Sequence, residues 1–117
     1  MDIVHIKTLM REKMYDKALS ELDALLTIEC NCPSFWVMRG DLIQLGENAS
    51  TPPLTEAAAS YKKALELDPN DLEAIESLAH FFDAVILQPA DAKQYAKAYI
   101  EKVDPIRSAM LGIIESN

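Results

Sequence analysis

The chain has 117 residues, half of them hydrophobic, which suits one domain with a packed core. Its 11 basic and 19 acidic side chains give a net charge of −8, and no basic patch exceeds Lys62-Lys63, so charge argues against nucleic acid and anionic membrane surfaces as partners. No apolar run approaches the roughly 20 residues of a membrane span, and charge breaks the amino-terminal MDIVHIKTLMREK where a signal peptide would be apolar. A cytoplasmic protein with reduced cysteines is expected.

The predicted elements are all helical. A first helix covers about 2–12. A second, over 15–28, carries the stripe Tyr15, Ala18, Leu19, Leu22, Leu25, Leu26 at helical steps. Pro33 breaks the chain there, and Ser34 beside it is the expected cap of a helix over 34–46 that Gly46 ends. ENASTPP follows as a polar, exposed loop, with Thr51 as cap and the prolines in the first turn of a helix over 53–67. Its stripe is Ala58, Tyr61, Ala64, Leu65. DPND is a stop and a new cap for 71–87, which has Ile75, Leu78, Ala79, Phe82, Val85 and Ile86 on one face. Asp91 with Gln94 forms a predicted capping box for 91–103, and Pro105 is expected to open a last helix over 105–115. No segment alternates at period two and only three glycines are present, so strands are not expected. Short connections between seven helices predict stacked antiparallel pairs.

The pairs repeat. Tyr61 and Ala64 displaced by 34 residues reach Tyr95 and Ala98. Ala18, Leu22 and Leu25 displaced by 39 reach Ala57, Tyr61 and Ala64, and the five extra residues match an insertion near 47–52. A helix pair every 34 residues is an internal repeat whose units must stack to bury their apolar faces.

With Trp36, Arg39, Gly40 and Ile43, then Ala57, Tyr61, Ala64 and Pro69, the middle unit resembles the tetratricopeptide repeat family. The third unit matches at Ile75, Leu78, Ala79, Phe82, Tyr95 and Ala98. It departs at Asp91, where a small residue is expected, and at Val103, where proline is. The first keeps Leu9, Ala18 and Leu22 but has Ile6 for glycine and Cys30 for proline. The resemblance implies an all-α, right-handed α-solenoid, a single domain over 1–117. Its repeats would lie at about 2–32, 33–70 and 71–103, with a capping helix at 105–115. Ala57 and Ala64 would let paired helices approach while Tyr61 fills the groove between them. The cap's face of Ile106, Met110, Ile113 and Ile114 would dock on the third pair; left open, it would suggest a homodimer through this helix.

The resemblance also implies a concave groove that binds a partner protein or peptide and performs no catalysis. By repeat position the groove-facing residues are Lys7, Met10 and Arg11, then Val37, Asp41 and Gln44, then Glu73, Glu76, His80 and Asp83. Grooves that hold the acidic tails of heat-shock chaperones need basic residues at several of these places; here the second and third units supply acids. Residues 41–104 hold five basic and twelve acidic side chains. A basic partner segment is the favoured ligand. An inhibitor of a basic toxin or nuclease, or a structural subunit of an assembly, are the alternatives. Cys30 and Cys32 form a C-x-C pair, but zinc would need two more ligands and His5 and His80 lie on other units, so no metal or cofactor is expected. The Asn48-Ala49-Ser50 acceptor pattern is read as coincidence in a chain without a secretion signal. Glu73 and Glu76 are read as solvated helix surface rather than acid-base groups.

Overall fold

The computed structural model describes residues 2–115. Among these are six α-helices, one π-helical turn and no strand. The chain divides into two compact units, 1–69 and 70–117. The boundary follows Pro69, the predicted end of the second repeat.

The first unit holds α1 (Ile3–Arg11), α2 (Tyr15–Leu26), α3 (Pro33–Leu45) and α4 (Leu54–Leu67). Each packs against the next in sequence. Asp2 caps α1 by accepting from the His5 N–H. The turn into α2 is a Schellman motif: Lys13 N–H donates to the Met10 carbonyl and Met14 N–H to that of Leu9. Lys13 takes φ 62°, a left-handed conformation usually given to glycine. Nothing in the sequence marked it.

Helix α2 presents Ala18, Leu19, Leu22, Leu25 and Leu26 to the core. Helix α3 lies between α2 and α4, so its buried residues fall on more than one side: Val37 and Gly40, then Leu42 and Ile43. From α4 come Ala57, Ala58, Ser60, Tyr61 and Ala64. The expected cluster of Gly40, Ala57, Tyr61 and Ala64 is buried. Trp36 is only half-buried, and its indole N–H donates to the Cys30 carbonyl at 2.7 Å.

Two cap assignments in this unit are corrected. Pro33 itself is the first residue of α3, with Cys32 as cap, so Ser34 lies inside the first turn. Thr51 does not cap α4, which starts after Pro53 with no side-chain cap. Its hydroxyl donates instead to Asp16 Oδ1 at 2.6 Å. The loop of the insertion is thereby tied to α2, although Glu47 to Ser50 are exposed as expected. Gly46 serves this tie: a Cβ there would meet Thr51 Cγ2 at 2.4 Å.

The second unit holds α5 (Leu72–His80), the π-turn Phe81–Val85 and α6 (Pro89–Glu115). Asp71 caps α5 through the Ala74 N–H, as DPND predicts. Expected to run to 87, this helix instead widens into the π-turn, where Ile86 N–H reaches back to the Phe81 carbonyl. The turn buries two consecutive aromatics, Phe81 and Phe82, where α-helical spacing had placed only Phe82 on the apolar face. Phe82 stacks on Tyr95 of α6, with ring centroids 6.0 Å apart. Ala79 and Ala98 are half-buried. Asp91 lies in the first turn of α6 rather than at its cap.

The largest correction concerns the end of the chain. Pro105 opens no new helix; it lies inside α6, which runs unbroken from Pro89 to Glu115. A proline in a helix interior removes one backbone hydrogen bond and costs about 3 kcal/mol. Here the helix-favouring stretches on both sides carry the helix through. There is no separate capping helix, and Ile106, Met110, Ile113 and Ile114, expected to dock, are each more than half exposed.

Candidate functional site

In the first unit Val4, Lys7, Met10 and Arg11 of α1 line an open cleft with Met38 of α3. Three of these were predicted groove positions. Lys7 and Arg11 lie one helical turn apart, and Arg11 reaches the Thr8 hydroxyl at 3.2 Å.

The second-unit groove positions of the first unit's α3 are different in kind. Val37 is 1% exposed, so it belongs to the core and cannot receive a ligand. Its neighbour Met38 takes the surface position. The register of the repeat points Val37 toward a groove, but α3 packs on two neighbours and buries that position. Asp41 and Gln44 are half-buried and turned to an internal task. The Tyr61 hydroxyl donates to Asp41 Oδ1 at 2.6 Å and accepts from Gln44 Nε2 at 2.6 Å.

Burial raises the Asp41 carboxyl above its ordinary value of 3.8, and the Tyr61 hydrogen bond works against that rise. A carboxyl with a raised folded-state pKa binds its proton more tightly in the folded protein. Its contribution therefore favours the fold at low pH and is lost as pH rises through the folded value. Asp41→Asn keeps an oxygen for Tyr61 and removes the charge. It should raise the melting midpoint at neutral pH, and the gain should shrink toward zero below pH 3.8, where the carboxyl is protonated both folded and unfolded. Melts across pH check this; a gain that is constant with pH would detach it from the charge.

A second polar cluster was not foreseen as such. Arg39 donates through Nε to Asp23 of α2 at 2.8 Å, and through one terminal nitrogen to Ser60 at 2.7 Å and Glu56 at 3.3 Å, both on α4. Arg39 was visible only as a position of the repeat. Its three partners come from two helices distant in sequence, so no spacing rule reveals them.

In the second unit, Glu76, His80 and Asp83 are exposed along one edge of α5 and the π-turn. Across from them on α6 stand Ala92, Lys93 and Ala96. His80, Asp83, Pro89 and Lys93 line one stretch of an open furrow. Glu76, Tyr99 and Ile100 line the next, with Ala79, His80 and Ala96 shared by both. Of its alanines Ala92 is buried, Ala79 half-buried and Ala96 exposed, and charged side chains stand beside them. His80 Nε2 is 3.7 Å from Glu76 Oε1. Glu73, the fourth predicted position, is exposed but lines neither stretch.

Among the described residues no three His, Cys, Asp or Glu side chains gather as a metal site requires. Cys30 and Cys32 are unbridged thiols, and His5 Nε2 stands 3.0 Å from Glu21 Oε2. Among those residues no helix is long and apolar enough to cross a membrane. Comparisons with protein-family models, with curated proteins and with solved structures each gave no match.

Proposed function

We propose that the chain is a non-catalytic adaptor of tetratricopeptide-like helix pairs that binds a basic segment of a partner protein. The observation that carries this reading is the furrow between α5 and α6, lined by the small residues Ala79, Ala92 and Ala96 and by the acids Glu76 and Asp83, with Lys93 as its one lysine. Small residues admit a partner backbone closely. The acids attract Lys or Arg side chains. Helical packing of a Gly40–Tyr61 kind, at the spacing of the repeat, supports the family likeness.

Steering by exposed charge raises the association rate and weakens with salt. The variant Glu73→Lys, Glu76→Lys, Asp83→Lys should therefore bind arginine- and lysine-rich synthetic peptides at least about tenfold more weakly at low salt. The difference should narrow at high salt. Its circular dichroism should match the wild type, because all three side chains are exposed. Equal affinities of both proteins at low and high salt would sink the reading.

A further inference from the structure

We infer that the second half of α6 is a homodimer interface, covered by the same half-helix of a second copy running antiparallel to it. This surface meets the furrow at Tyr99 and Ile100, but the inference does not rest on what the furrow binds.

Tyr99, Val103, Ile106, Met110 and Ile113 follow one another at steps of four, three, four and three residues. That is the seam of a helix built to pack along another helix. Ile100 and Ile114 flank it on one side. In the first half of α6 Ala92, at a corresponding position, is buried, and Tyr99 and Val103 are half-buried. Beyond Val103 the cover ends: Ile106 is 55% exposed, Met110 52%, Ile113 62% and Ile114 71%. Single exposed apolar residues are ordinary, but a contiguous patch of several hundred Å² marks an interaction site.

Charge selects the occupant. The chain carries −8, so two copies repel over most of their surface. Between residues 105 and 114 the one charged side chain is Arg107. This is where two copies meet at least cost. Orientation follows from the flanks. A parallel pair would set Lys102 against Arg107 of the second copy, like charge on like on both sides of the seam. An antiparallel pair sets Val103 opposite Ile113 and Ile106 opposite Met110. It also brings Ile100 to Ile114, and leaves the two Arg107 side chains near the twofold axis.

Sedimentation velocity on the full chain, over a dilution series of about a hundredfold, tests this by mass action. The wild type should move between the 13.0 kDa monomer and a species of twice that mass. Met110→Glu should stay monomeric at every concentration, with unchanged far-UV circular dichroism, because the side chain it replaces is exposed. Ile114→Glu, at a still more exposed position, gives the same reading should the first variant fold poorly. Arg107→Ala should tighten the dimer severalfold by removing the like charges at the axis. A wild type that remains monomeric throughout, or glutamate variants that still dimerise, would overturn the interface. Weaker association of Arg107→Ala would overturn the antiparallel register.

Discussion

Gly40→Ala should destabilise the protein by about 2 kcal/mol, seen as an earlier midpoint in a thermal or urea melt. A Cβ at position 40 would lie 2.5 Å from Cε1, 2.6 Å from Cζ and 2.9 Å from Cδ1 of Tyr61. The ring has little room to withdraw. Tyr61 is wholly buried, and its hydroxyl is held by Asp41 and Gln44. Glycine within a helix normally costs up to about 1 kcal/mol relative to alanine, so on an open face this change would stabilise. Overpacking a core costs roughly 1–3 kcal/mol, and contact with three ring atoms places this site at the upper end. The clash therefore wins. Gly40→Ala combined with Tyr61→Leu should be less destabilised than the two single changes added together. Strict additivity would show that the ring and the glycine are not coupled.

Arg39→Ala should cost about 2 kcal/mol. The count of partners suggests more, but Asp23 and Glu56 are 44% and 49% exposed, so each ion pair contributes below about 1 kcal/mol. The remainder comes from the Ser60 hydrogen bond, in a setting where Ser60 is 1% exposed, and from the packing of the arginine stem. Arg39→Lys should recover only part of the loss. One ammonium cannot reproduce a planar fork that reaches α2 and α4 together. Urea melts of both variants check this. Full recovery by lysine would reduce the cluster to a point charge.

The Gly40–Tyr61 pair shows how much the sequence discloses. Small and large residues at fixed helical spacing, repeated down the chain, located the packing faces of α2 and α4 before any coordinate. At the positions that correspond in the first pair stand Ile6 and Leu22, both 0% exposed. Two middle-sized side chains do the work of one very small and one very large. The spacing is preserved while the volumes are redistributed, so the pattern weakens to the eye where the packing does not. Elements whose cause is local were legible, as at Asp71. Those decided by tertiary partners were not. Thr51 resembles a cap by sequence yet bonds Asp16 on another helix, and Asp41 and Gln44 sit at groove positions yet hold a buried hydroxyl. Val37 illustrates the same limit: one helix register cannot say whether a second neighbour covers a face.

The proline inside α6 has a mechanical meaning. Pro105 has no N–H, so the Glu101 carbonyl loses the donor that would span that turn. Bending of a helix concentrates where such a rung is missing. Upstream, the stack of Phe82 on Tyr95 and the Lys102–Asn70 hydrogen bond clamp the rod to its unit. Downstream, the apolar half projects from a soft joint. The clamped half is thus a fixed beam, and the missing rung is where α6 yields first when the apolar half is loaded.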